Sequence, residues 1–240
     1  MSFDPLELTK EIEKRVSKRE DSVVLRKYYR FRSTRYYGGI ASADCCGCNL
    51  RCIFCWSNDK ARDGKIGEFY SPKEVANRLV EIAVKNGFNK VRITGNEPTL
   101  VFDHLVQVLE NLPSDFLFIL ETNGILLGSD KGYAKVLSRF ENLHVRVSLK
   151  GCDEEDFAKL TLAKPEFFEL QLKALKNCLD AGVSCHPALM IDVVDRKKLG
   201  TLEEKLREID EILAFELEFE ELIQYPHVLA RMRKHGFFQK

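Results

Sequence analysis

Neither sign of charge is in excess: Lys and Arg total 37, Asp and Glu total 37, and the formal net charge of the 240-residue chain is zero. That argues against nucleic acid or another large polyanion as the main partner, although a local basic patch remains compatible with it. Long apolar runs are lacking too. The longest, such as residues 116–120, fall far short of the roughly 20 residues that span a bilayer, so no membrane association is expected. The opening Met-Ser-Phe-Asp-Pro-Leu-Glu has no basic segment ahead of an apolar core, so no secretory signal is expected and the protein is read as cytoplasmic. Repeats and low-complexity tracts are missing as well. With 45% hydrophobic and 31% charged residues, the chain reads as one ordinary globular domain.

Cysteines are present but unevenly placed. Five of eight (Cys45, Cys46, Cys48, Cys52 and Cys55) lie in one short segment, while Cys152, Cys178 and Cys185 are scattered. A disulfide framework would spread its cysteines to close loops. In a reducing compartment a local group of thiols reads as a metal or redox site.

Residues 5–20 place Leu8, Ile12 and Val16 at helical spacing, which predicts an amphipathic helix. Residues 26–37 interleave arginines with tyrosines and read as an edge element or a substrate lid. From residue 71 onward a regular alternation begins. Ser71-Pro-Lys-Glu74 is a capping box opening a helix that stops near Gly87. Strands are expected at 90–94, 116–121, 144–149, within 183–193 and at 215–223, where acidic and apolar residues alternate. Helices are expected at 100–111, 133–140, 166–181 and 202–213. With a further strand near 37–43 there are about six β–α units, fewer than the eight of a closed barrel. The fold class expected is α/β, an open, partial (β/α)6 TIM-like barrel with parallel strands and outer helices. Residues 1–36 would form a helical and basic extension, 37–225 the barrel core and 226–240 a helical tail. Chemistry would gather at the C-terminal ends of the strands.

Cys48-Asn-Leu-Arg-Cys52-Ile-Phe-Cys55-Trp56 is a C-x3-C-x2-C run. Three soft thiolates on one loop suit an iron–sulfur cubane and leave its fourth iron open to another ligand. Structural zinc normally takes four ligands as two separated pairs, and no second pair follows. This segment, with its aromatic after the last cysteine, resembles the signature of the radical SAM superfamily. The resemblance implies that Cys48, Cys52 and Cys55 hold a [4Fe–4S] cluster and that S-adenosylmethionine (SAM) binds the open iron. It further implies reductive cleavage to a 5′-deoxyadenosyl radical that removes a hydrogen atom from a substrate, and an electron donor such as a flavodoxin or ferredoxin.

Further segments resemble that family's strand-end motifs. Gly95-Asn96-Glu97-Pro98 is similar to its glycine–glycine–glutamate–proline turn, which contacts the SAM ammonium; Asn96 departs from the second glycine but tolerates left-handed backbone angles. Thr122 and Asn123 would line the SAM pocket. Ser148 and Lys150 share one strand face. Lys150 matches the lysine of glycyl-radical activating enzymes, and Ser148 stands where their acid would be. His186, on a later strand, would contact SAM. Lys150 and Cys152 are the candidate catalytic groups. Size and layout resemble the small activating enzymes, which generate radicals on a protein partner, but the sequence leaves the substrate unassigned and a small metabolite equally open. RNA as substrate, and a protein that only carries electrons or binds zinc, stay open beside these.

Overall fold

The computed structural model describes residues 2–237. Asp4 caps the first helix, Pro5–Val16, by accepting from the Leu6 and Glu7 amides, with Pro5 in the first turn. The expected helix runs four residues too far. Ser17–Glu20 is instead strand β1, because beyond the buried Val16 this tetrapeptide has no apolar residue to hold a helix on the core. It pairs antiparallel with β2 (Val23–Thr34), which holds most of the basic, tyrosine-rich stretch. β3 (Ile40–Cys45) follows, and a short β4 (Glu68–Tyr70) adds to β2.

From β3 the sheet becomes parallel. β5 (Lys90–Thr94), β6 (Leu117–Thr122), β7 (Leu143–Leu149), β8 (Cys185–Met190) and β9 (Glu218–Glu220) stand beside it in chain order, and each pairs with the next. Sequential order means each crossover advances in the same direction, the wall of a barrel rather than a doubly wound sheet. The six parallel strands form the expected partial barrel, and β2 joins β3 antiparallel at one side. Residues 2–36 thus supply a helix and two strands, both of which belong to this sheet. The tail is helical over Pro226–Lys234, and its residues 238–240 lie outside the described residues.

Helix boundaries follow capping chemistry. Ser71 and Glu74 form the expected capping box, and Gly87, at φ 68°, closes that helix. The helix expected over 202–213 is two helices, Leu199–Ile209 and Glu211–Phe215, because Asp210 turns out of helical geometry and accepts the Ile212 amide. Glu154–Thr161, capped by Asp153, is a helix the sequence pattern did not announce.

Period two divides each barrel strand between two environments. Ala41, Ala43, Val91, Ile93, Phe118, Leu120, Val145 and Val147 belong to the apolar core beneath the helices. Their neighbours Ser42, Asp44, Arg92, Thr94 and Arg146 are buried polar residues of the opposite face. The barrel interior is therefore a hydrogen-bonded network rather than layers of aliphatic side chains.

The helix Phe102–Glu110 ties β2 to this body through His104, which is fully buried. Its Nδ1 donates to the Val24 carbonyl at 2.6 Å, leaving Nε2 to accept from the Tyr28 hydroxyl at 2.9 Å. Burial pushes the His104 pKa down to about 3 from an ordinary 6.5. The unfolded chain takes up this proton below pH 6.5 and the folded chain does not, so stability is full above 6.5 and falls with pH. We expect about 2 kcal/mol to be lost between pH 6.5 and 4.5 through this residue. The window lies above that of Glu218, whose carboxyl is held at about 2 and whose contribution is lost only below 4.5. Thermal melts of wild type and His104→Gln check it; equal pH slopes would contradict the assignment.

Candidate active site at the cysteine loop

The segment after β3 is pinned on several sides. Gly47 and Cys48 donate to the Ala61 and Arg62 carbonyls at 2.9 and 3.0 Å, and Arg51 and Ile53 to Thr161 and Leu160 at 3.2 and 2.9 Å. Leu50 and Ile53 are buried beneath it. Asn49 bridges Thr9 on the first helix and Asn123 after β6, at 3.0 and 2.7 Å. So anchored, Cys48, Cys52 and Cys55 border one cavity of about 170 Å³. Gly95, Asn96 and Glu97 from the β5 end, Thr122 and Asn123 from the β6 end, and Ser148 and Lys150 from the β7 end share its wall. Residues from four separate segments thus converge at the C-terminal edge of the sheet.

Glu97 is 1% exposed. One carboxylate oxygen accepts the Thr99 amide and hydroxyl and the Thr122 hydroxyl at 3.1, 2.7 and 2.6 Å, and the other accepts the Asn123 amide at 2.7 Å. These bonds brace the β5 turn against the β6 turn, and the oxygen that accepts from Asn123 keeps a second acceptor position. The turn's sharp bend falls on Gly95, at φ 99°, where a Cβ would lie 2.9 Å from the Asp44 backbone. Asn96 is not left-handed, contrary to the reason expected for its tolerance. Its Nδ2 donates to the Cys45 carbonyl at 2.7 Å, while its buried Oδ1 has no partner.

Lys150 Nζ donates to Ser148 Oγ at 2.5 Å. Gln171, from the helix Phe168–Asp180, accepts the Lys150 amide at 2.9 Å and donates to the Asn123 carbonyl at 2.5 Å, locking two strand ends together. Burial, with Cys52 and Glu97 nearby, pushes the Cys48 thiol up to about 12. Burial carries Cys52 to about 11 against the pull of Lys150. Metal binding at this loop therefore releases protons.

Other expected residues do not reach this wall. Pro98 is buried, and its carbonyl accepts from the buried Arg26. His186 faces the barrel interior but lies below the cavity, between His144 and Glu218 at 2.6 and 2.9 Å; Met190, four residues on, lines the wall instead. Cys152 is fully buried beside Asp156, and burial pushes its thiol up to about 12. The structure thus places this candidate catalytic group off the cavity wall, one residue after the positive-φ Gly151. Cys45 and Cys46 are also buried off the cavity, the latter donating to the Ile66 carbonyl at 3.2 Å.

Sequence reasoning missed Glu121, Arg146 and Glu220, which line the wall. Glu121 accepts from Arg92, from Thr94 at 2.5 Å and from Tyr37 at 2.8 Å. Burial raises its pKa, but the Arg92 and Arg146 guanidiniums outweigh that and hold it below the ordinary range. Arg146 reaches Glu218 and Glu220 at 2.8 and 2.9 Å. The acidic alternation of 215–223 was the available signal. Phe54, Trp56, Thr94, Glu121, Arg146 and Met190 also line a second cavity of about 630 Å³, so the two adjoin and the larger forms a vestibule. From the basic stretch, the half-exposed Arg30 and the less exposed Arg32 hold the fully buried Asp44 carboxylate.

No three His, Cys, Asp or Glu side chains among the described residues converge as ligands of a single ion. A cubane asks for something different, one thiolate per iron around a cluster, and three thiols on one fixed loop meet that demand. The unpartnered Asn96 Oδ1 beside them suits a ligand bearing N–H donors. No helix among the described residues is long and apolar enough to cross a membrane.

Residues 44–209 match the model of the Radical SAM superfamily. A probable GTP 3′,8-cyclase of Methanosarcina acetivorans is 32% identical over 139 residues, covering 57% of this chain and 40% of its own. Another, from Methanococcus aeolicus, is 28% identical over 197 residues, covering 78% and 62%. The chain thus spans 40–62% of the length of these curated relatives. The crystal structure of Streptococcus suis SuiB bound to precursor peptide SuiA superposes with a TM-score of 0.59 at 19% identity, covering 79% of this chain and 42% of that one, a likeness of fold. These curated relatives are cyclases, not the activating enzymes the strand motifs resemble. The cavity and the family match over residues 44–209 lead to one statement: this chain belongs to the radical SAM superfamily, enzymes whose cofactors are a [4Fe–4S] cluster and SAM.

Proposed function

We propose that Cys48, Cys52 and Cys55 bind the cluster, that SAM occupies the adjoining cavity, and that a peptide or protein segment enters through the vestibule. The observation carrying this reading is the meeting of the three cysteines, the 95–97 turn and the β6 and β7 ends on one wall that adjoins a larger opening. The bound cofactors supply reductive C–S cleavage and hydrogen-atom abstraction, with the electron coming from a reductant such as flavodoxin or ferredoxin. The chain's own residues orient them. Asn96 Oδ1, unpartnered, would accept from the SAM ammonium, and Lys150, steadied by Ser148, would offer a cation to its carboxylate. Glu97 and Gln171 act as positioning residues, and Glu121 and Arg146 stand at the passage between the cavities.

The vestibule's charge supports the substrate class. Its arginines meet carboxylates already within reach: Arg92 meets Glu121, and Arg146 meets Glu218 and Glu220. A triphosphate would have to approach these acids, whereas a peptide presents amides and mixed charge to them. Exposed Tyr36, Phe219 and Tyr225 line the same opening and offer apolar contact. The likeness to GTP 3′,8-cyclases favours a nucleotide instead. Anaerobic incubation of the reconstituted enzyme with SAM, dithionite and either GTP or a degenerate peptide library separates them. Peptides should raise 5′-deoxyadenosine formation and acquire a mass change. Consumption of GTP in their place would overturn the substrate class.

A further inference from the structure

A third cavity, of about 940 Å³, lies against the opposite side of the cysteine loop, between residues 51–63 and the helix Pro226–Lys234. Its wall holds five cations in a chain whose net charge is zero, Arg30, Arg51, Arg62, Arg231 and Lys234. Arg51 pairs with Asp63, Arg62 and Arg231 share Asp59, and Arg30 meets the buried Asp44, which leaves the lining net positive. Three of these guanidiniums each hold the carbonyl of a different candidate ligand cysteine. Arg51 Nη1 donates to the Cys48 carbonyl at 2.7 Å, Arg62 Nη1 to Cys52 at 3.1 Å and Arg231 Nη1 to Cys55 at 2.6 Å. The loop therefore presents its thiols to the inner cavity and its carbonyls to this cleft. Trp56, the residue after Cys55, is 38% exposed and borders both.

Resting on the cluster assignment above, we propose that this cleft is the docking face for an acidic one-electron carrier protein. An occupant here would meet the cysteine loop on its carbonyl side and leave the vestibule free for substrate. A polymeric substrate such as RNA would have its reacting atom on the wrong side of the loop, which favours a carrier. Complementary charge suits such an encounter, since redox partners form small interfaces and depend on steering for their association rate. One electron passes from the carrier's reduced cofactor to the cluster, and the carrier leaves oxidised by one electron.

Lys234 is the informative position, because it is exposed and lines the cleft without bonding to the cysteine loop. Reduction of the reconstituted cluster by an acidic flavodoxin, prereduced and mixed anaerobically in a stopped-flow cell, should slow about tenfold in Lys234→Glu at low salt. The difference should shrink as salt screens the encounter, while dithionite reduces both proteins equally. Affinity for oxidised flavodoxin, measured by interferometry, should weaken by a similar factor and needs no cluster. The double variant Lys234→Glu, His235→Glu should extend both effects. Unchanged rates and affinities would overturn the proposal, as would RNA retained at low salt by wild type and released by Lys234→Glu. Dithionite-driven SAM cleavage in the same preparations reports on the proposed function separately, so the two readings fail independently.

Discussion

Alanine at Cys48, Cys52 or Cys55, one at a time, should give a protein that folds and retains less than about a tenth of the wild-type iron and sulfide after anaerobic reconstitution. A cubane with an open iron already depends on only three protein ligands, and removing one leaves two thiolates against competing chelators. Folding should survive. Cys48 and Cys55 are partly exposed, and the loop is held by Leu50, Ile53 and its backbone bonds rather than by sulfur. Cys52→Ala removes one buried sulfur at a cost of about 1 kcal/mol. Cys46→Ala is the internal control. Its thiol faces the Ile66 carbonyl and packs near Ile12 and Val16, so cluster content should not change. Iron and sulfide assays with the charge-transfer absorbance check this. A full cubane in any of the three single variants, or its loss in Cys46→Ala, would mean the ligand trio is wrong.

Glu97→Ala should be the most damaging change among residues that hold no metal. It strips the acceptor from four buried donors, the Thr99 amide and hydroxyl, the Thr122 hydroxyl and the Asn123 amide. Two hydroxyls can rotate to other acceptors and two amides cannot, so we expect about 3–4 kcal/mol of lost stability. The same loss frees the 95–97 turn from the β6 end, and SAM affinity should fall at least about tenfold. Glu97→Gln restores one oxygen but points an N–H₂ at a donor, and should fall between the two. Denaturant melts and isothermal titration with SAM check both effects. Wild-type stability with weakened SAM binding would instead make Glu97 a direct SAM contact.

Legibility of the sequence tracked the range of the physics. The cysteine loop was readable because its three thiols fall within eight residues, a spacing that suits a cubane. The β5, β6 and β7 ends were readable because period two and glycine turns are local, and the structure brings Gly95, Asn96, Glu97, Thr122, Asn123, Ser148 and Lys150 onto one wall. His186 marks the limit. Alternation assigns a residue's face but not its height, and the strand stagger of the barrel lifts Met190 rather than His186 to the cavity. Arg146 and Glu121 carried no local mark, since their meaning depends on partners such as Glu218, 72 residues away. The 26–37 stretch misled for the same reason. It reads as an edge element or a substrate lid, yet β2 pairs with β1 and β4 as well as β3, and sends Arg26 to the Glu97 carbonyl at 2.6 Å.

Reductive SAM cleavage is the central claim, and it is read most directly as 5′-deoxyadenosine released anaerobically from reconstituted protein with SAM and dithionite. Wild type should produce it, while the Cys48, Cys52, Cys55 triple alanine variant should give only the background of protein-free controls. A fully loaded wild-type protein that yields no 5′-deoxyadenosine, alone or with the peptide library, would contradict the account.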